Sequence, residues 1–143
     1  GTGTGVAPFR AFVELIYERR GGWRGQLRLY YGGRSGRDLM YTNDESTDLA
    51  NYYDERTFKA FKTLAARPLM SSSQALGAGL QAHAREVWEL IYEDNTHVFV
   101  AGLGKIAEVL DQVMIQQAGS QAAWQQVKQR LIDQRRWSEL IYN

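Results

Sequence analysis

The chain opens on Gly1-Thr2-Gly3-Thr4-Gly5-Val6-Ala7-Pro8. Glycine at alternate positions lets a backbone turn tightly and bring its N–H groups against a phosphate. Pro8 suits the first turn of a helix, where its missing N–H leaves no bond unmade. Behind it, Phe9, Phe12, Val13, Ile16 and Tyr17 recur at spacings of three and four. The pattern predicts an amphipathic helix from about Pro8 to Arg20, whose partially positive N-terminus points at the glycine turn. Such a turn is an anion site, with Gly3, Thr4, Gly5, Val6, Ala7 and Pro8 as candidate contacts. A Gly/Thr run standing alone would equally suit a flexible tail; the helix fused to it favours the cradle.

Two further segments can reach the same anion. Residues 26 to 31, Gln-Leu-Arg-Leu-Tyr-Tyr, read as a strand between Gly25 and Gly32-Gly33, and the loop that leaves it carries Arg34 and Arg37. Ligands of an open parallel sheet sit outside the carboxyl ends of its strands, where Arg34 could meet phosphate oxygens. A solvated loop with incidental arginines is the other reading. His97-Val98-Phe99-Val100-Ala101-Gly102-Leu103-Gly104 reads as a buried strand that delivers a glycine loop to a helix carrying Ile106, Val109, Leu110, Val113 and Met114. Two strand-glycine-helix units thus bracket a cleft. Competing chemistry is scarce. The chain has no cysteine, hence no thiolate nucleophile or thiolate metal site, and His83 and His97 are its only histidines. Neither has a ligand cluster beside it in sequence, so each reads as a structural or surface residue and no metal is expected.

The remaining elements must hold these loops. Gly21-Gly22 should stop the first helix. Leu49, Tyr52, Tyr53 and Phe58 give a weak helical stripe over roughly 44 to 56. A short strand over 60 to 66 ends at Arg67-Pro68. Leu80, Ala84, Val87, Trp88 and Ile91 share one helical face, and Trp124, Val127, Leu131 and Ile132 another, after which residues 135 to 143 read as a final strand. Alternating helices and strands predict an α/β fold: a doubly wound, Rossmann-like parallel sheet with helices on both faces. The 143 residues suit one domain, and a net charge of +1 gives no general attraction to nucleic acid or an anionic membrane. No apolar run approaches the roughly 20 residues of a membrane span. The lack of cysteine fits a reducing cytoplasm.

Gly-Thr-Gly-Thr-Gly-Val-Ala-Pro-Phe-Arg, residues 1 to 10, resembles the nucleotide-binding loop of the ferredoxin-NADP reductase family. Tyr31-Gly32-Gly33-Arg34 with Asp38-Leu39-Met40-Tyr41 through Glu45, Arg85-Glu86-Val87-Trp88-Glu89-Leu90, and residues 97 to 114 extend the resemblance. It implies a domain that binds NADP, or NAD, and sets the nicotinamide against an FAD carried by an upstream FAD-binding domain, with ferredoxin or flavodoxin as electron partner. By resemblance Arg34 approaches the nucleotide phosphates, Arg67 the adenosine 2′-phosphate, and Ala101, Gly102 and Leu103 the nicotinamide. Tyr142 stands where the family stacks a terminal aromatic on the flavin. Glu139 is the candidate acid near it, although the family places its acid where Leu140 stands here.

Other departures are Ala101 for the family's cysteine, Ala66 and Pro68 beside Arg67 where serine and glutamate are usual, and no tyrosine within residues 71 to 77. In the family a buried strand precedes the glycine turn, yet nothing precedes Gly1 here. The expectation is a chain cut at the end of its own first strand. The central sheet position, between Leu27-Arg28-Leu29 and Val98-Phe99-Val100, would then be empty or filled from outside. The leading reading is the nucleotide domain of an FAD-dependent ferredoxin or flavodoxin NADP reductase. The alternatives are the NADH-dependent reductase component of an oxygenase and a nucleotide-binding electron-transfer or regulatory subunit without turnover of its own.

Overall fold

The computed structural model describes residues 1–18, 25–38 and 58–142. The expected glycine stop at Gly21-Gly22, the stretch from Leu39 to Glu45 and the helix over 44 to 56 lie outside the described residues. Within them run α1 (Ala7–Glu18), β1 (Leu27–Gly33), β2 (Phe58–Leu64), α2 (Ser72–Ala82), α3 (Ala84–Tyr92), β3 (Val98–Leu103), α4 (Ile106–Ala118), α5 (Gln121–Asp133) and β4 (Trp137–Tyr142).

Every strand pairing is parallel. β1 lies beside β2 with Leu27 opposite Phe58 and Gly33 opposite Leu64, and β3 beside β4 with Val98 opposite Trp137 and Leu103 opposite Tyr142. These two-stranded sheets are joined by the first two residues of the chain. The Gly1 amine donates to the Tyr30 carbonyl at 2.7 Å, Gly32 N–H donates to the Gly1 carbonyl at 3.1 Å, and Thr2 N–H donates to the Ala101 carbonyl at 3.2 Å. Thr2 forms an isolated parallel bridge with Gly32. Gly1 and Thr2 therefore stand between β1 and β3, in the position where a doubly wound sheet keeps its central strand.

The period-2 pleat sends alternate residues to opposite faces. On one face Leu29, Tyr31 and Ala101 pack with Val6, just before α1, and Phe9 in its first turn, and the Phe12 and Phe99 rings lie 4.7 Å apart. On the other, Tyr30, Val98 and Val100 meet the larger cluster built by α2 to α5, with Leu76, Ile91, Met114, Trp124 and Leu131 at its centre. Helices on both faces of parallel strands are the architecture that the alternating pattern predicts.

Local chemistry sets the helix ends. Ser71 caps α2: its hydroxyl accepts from Gln74 N–H at 3.2 Å while the Gln74 side chain accepts from Ser71 N–H at 2.8 Å, a reciprocal capping box. Gly119, at φ 79°, ends α4 in the left-handed region, and Ser120 caps α5 by accepting from Ala123 N–H at 3.1 Å. The stripe from Leu80 to Ile91 spans two helices. The chain breaks at His83, whose ring lies 4.2 Å from Phe61 of β2 and 6.0 Å from Tyr30 of β1. Packing of that imidazole on the strands gives His83 a structural role. No described helix is long and apolar enough to cross a membrane.

Candidate functional site

The glycine loop is shaped by close backbone approach. After Thr2 the chain turns through Gly3, at φ 53°, into a 3-10 turn (Gly3–Val6) that runs directly into α1, and Gly5 N–H donates to the Thr2 carbonyl at 3.0 Å. A Cβ on Gly5 would stand 2.2 Å from the Ala101 carbonyl oxygen of β3. Gly102, at φ 145°, offers the reciprocal fit, because a Cβ there would come within 2.4 Å of Thr2 Oγ1. These two glycines interlock the loop with the carboxyl end of β3. Gly3 is different: nothing lies within 4 Å of where its Cβ would be. It needs glycine for its φ angle and leaves open space in front of the turn.

That space is a cleft of 510 Å³ at the carboxyl ends of the strands. Thr2, Gly3 and Thr4 line it from the loop, Arg34 and Asp38 from the turn after β1, Ser71 to Ser73 from the start of α2, and Leu103 from the end of β3. The volume lies within the range of small-molecule sites. Thr2 is 2 % exposed, and its Oγ1 is a buried polar atom with no hydrogen-bond partner among the described residues. That hydroxyl lies against β3, 2.4 Å from where a Cβ on Gly102 would stand, and so belongs to the seat of the loop on the strand. Gly3 and Thr4, at the start of the 3-10 turn, bring their backbone to the cleft wall, while the Gly5 and Ala7 N–H groups are committed to the Thr2 and Thr4 carbonyls. Together Gly3 and Thr4 suit the diphosphate of a nucleotide.

Tyr31 couples the two sides of this cleft and was not singled out as a site residue by the sequence. It is fully buried, and its phenol donates toward the Gly3 and Asp38 carbonyls, each at 2.7 Å. The glycine loop and the Arg34 turn are thereby tied to one ring. Asp38 in turn accepts the N–H groups of Arg34 at 2.9 Å and Ser35 at 3.3 Å, and its carboxylate lies 3.6 Å from Arg34 Nε. The Arg34 side chain is 71 % exposed, so that ion pair is weak and the guanidinium can turn toward an entering anion.

The structure brings Gly3, Thr4, Arg34 and Leu103 to the cleft and places the other expected contacts elsewhere. Gly5 and Val6 are buried; Val6 belongs to the small core cluster, while Ala7 and Pro8 start α1 outside the cleft lining. Ala101 is buried beneath the loop, with its carbonyl committed to Thr2, and Gly102 serves the backbone approach. Arg67 lies exposed in the turn after β2, outside the cleft lining.

Tyr142 and Glu139 separate. β4 carries Tyr142 to the cleft's edge, where its hydroxyl is hydrogen-bonded to Thr4 Oγ1 and its carbonyl accepts from Gly104 N–H at 3.0 Å. Strand alternation puts Glu139 on the opposite face. There its carboxylate accepts from Trp137 Nε1 at 2.7 Å and meets Lys128 Nζ at 3.2 Å, while the same ammonium donates to Asp111 at 3.0 and 3.1 Å. Glu139 is thus engaged in holding α4, α5 and β4 together, away from the loop.

The profile of the oxidoreductase NAD-binding domain family matches residues 1–112. The ferredoxin-NADP reductase of Thermosynechococcus vestitus is 27 % identical over 99 % of this chain, and the chloroplastic leaf isozyme 2 of Oryza sativa subsp. indica is 29 % identical over 99 %. The chain spans 38 % and 40 % of those two relatives. A crystal structure of a mutant ferredoxin-NADP+ reductase from Plasmodium falciparum superposes with a TM-score of 0.73 over 98 % of this chain and 49 % of its own, at 15 % identity, a likeness of fold.

Replacing Gly5 by alanine should cost more stability than replacing Gly3. The first forces a Cβ into the Ala101 backbone, whereas the second meets only the left-handed φ, worth about 1–2 kcal/mol. Urea unfolding checks the order: Gly5→Ala below Gly3→Ala, with Gly102→Ala grouped with Gly5→Ala.

Proposed function

The chain belongs to the oxidoreductase NAD-binding domain family, and we propose that it is the nucleotide-binding part of an FAD-dependent ferredoxin or flavodoxin NADP reductase. The observation that carries the reading is the cleft itself: a glycine loop ahead of a helix, the serines that open α2 and an exposed arginine line one space at the carboxyl edge of a parallel sheet. Gly3 and Thr4 hold the diphosphate, and Arg34 adds a charge-assisted contact. Leu103 and Tyr142, at the ends of β3 and β4, flank the nicotinamide end. The nucleotide, when bound, supplies a hydride for FAD, and the work of this chain is to orient it. Likeness to relatives named ferredoxin-NADP reductases supports the choice of reaction and of ferredoxin or flavodoxin as acceptor. The FAD would be held by an upstream FAD-binding domain and would meet the Tyr142 ring.

A second reading, an NADH-dependent reductase component of an oxygenase, is favoured by one observation. The α2 end of the cleft is lined by Ser71, Ser72 and Ser73, while Arg67 lies outside it. An adenosine 2′-phosphate would need Arg67 to swing inward.

Calorimetric titration with NADPH and NADH separates the readings. Arg34→Ala should weaken both nucleotides alike, by about 1.5–3 kcal/mol for a lost charge-assisted bond. Arg67→Ala should weaken NADPH alone. Tighter NADH binding in the parent, with equal losses on Arg67→Ala, would replace the first reading by the second, and loss of neither nucleotide on Arg34→Ala would remove the phosphate role from that residue.

A further inference from the structure

The hydrogen bond between Thr4 and Tyr142 joins the two ends of the chain across the cleft, and neither end would place its partner alone. Thr4 lies in the 3-10 turn (Gly3–Val6), its side chain exposed and lining the cleft. Tyr142 is the last residue of β4, half-buried, with its main chain anchored by Gly104. Its neighbour across the strand pair is Leu103, which lines the same cleft. The phenol thus spans from the nicotinamide end to the hydroxyl of the phosphate loop.

That hydroxyl has two claims on it. Thr4 Oγ1 has one proton to donate and two lone pairs that accept; the two claims conflict in the arrangement taken here, in which that proton goes to the Tyr142 phenol oxygen. In the structure it is engaged with the Tyr142 phenol, yet it stands beside the open space in front of Gly3 where a diphosphate would sit. An anionic oxygen makes a stronger, charge-assisted bond than a neutral phenol. A diphosphate therefore competes for Thr4 with a ring at the other end of the site.

We propose that Thr4 and Tyr142 form a latch: in the free protein the Thr4 hydroxyl holds the Tyr142 ring across the cleft, and a diphosphate entering the glycine loop takes that hydroxyl and releases the ring. The latch rests on the reading of the glycine loop as a diphosphate site. Its consequence is a coupling between two parts of one ligand. Binding at the phosphate end frees the position that the nicotinamide end must occupy, and by linkage anything that displaces the ring tightens diphosphate binding by the same factor. Thr4 is a positioning residue for Tyr142 as well as a phosphate contact.

The test needs no flavin. In the 143-residue chain labelled with 3-fluorotyrosine, the Tyr142 resonance is assigned by its loss in Tyr142→Phe and followed on titration with ADP, inorganic pyrophosphate and adenosine. ADP and pyrophosphate should shift it, and adenosine, lacking the diphosphate, should leave it in place. Tyr142→Phe keeps the ring and deletes the phenol, so it should bind ADP about two- to tenfold more tightly, the worth of one neutral hydrogen bond. Thr4→Ser should behave as the parent. Thr4→Val should bring the Tyr142 resonance to its released position before any ligand is added. Equal ADP affinity in the parent and Tyr142→Phe would overturn the latch and leave the diphosphate site standing. Failure of ADP and pyrophosphate to bind any of these proteins would overturn both.

Discussion

At Gly5 and Ala101 two backbones meet more closely than any side chain permits, and the candidate site exists because they do. Thr2 N–H donates to the Ala101 carbonyl, and Gly102, having no Cβ, leaves the room that Thr2 fills. With the loop seated on β3, Gly3 and Thr4 are held at the wall of the cleft at the carboxyl edge of the sheet. Tyr31 then fixes the other side by tying Gly3 to the turn that carries Arg34. Displace the loop by one methyl group and the anion site, the helix direction and the Tyr31 bridge are lost together.

The same junction divides the molecule unequally. Among the described residues, the larger apolar cluster, between the strands and α2 to α5, contains the fully buried Trp124, Ile91, Ile106, Met114 and Leu131. The smaller one, under α1, consists of Val6, Phe9, Leu29, Tyr31 and Ala101.

Charge is used on the opposite face for a different purpose. Lys128 lies between Asp111 and Glu139, its ammonium 4.8 Å from the centre of the Trp137 ring, and Trp124 Nε1 donates to Asp111 at 2.8 Å. Arg136 adds bonds to the carbonyls of Thr96, Ile91 and Glu93. These contacts bind α3, α4, α5 and the start of β4 into one body, and β4 ends at Tyr142. The acid that the sequence offered as a neighbour of the aromatic thus acts on it through the strand, not across the site.

Much of this was written in local pattern. The periodicities from Phe9, from Leu80 to Ile91 and from Trp124, together with the apolar run from Val98, gave the helices and strands and hence the doubly wound class, because period and burial are coupled within a single element. The chemical character of the first five residues followed from glycine's freedom alone. What needed the tertiary structure was any property that depends on two distant segments at once. Sequence assigns Gly3 and Gly5 one role; packing divides them, since one faces open space and the other a carbonyl of β3. Glu139 and Tyr142 sit three residues apart, and only the pleat of β4 against α5 shows that they face different ways. Tyr31 looked like one more strand aromatic, and the break at His83 was hidden inside a continuous apolar stripe. Local propensity reports how a residue meets its own neighbours in sequence, whereas close approach, face and partner are fixed only when elements far apart in the chain pack against one another.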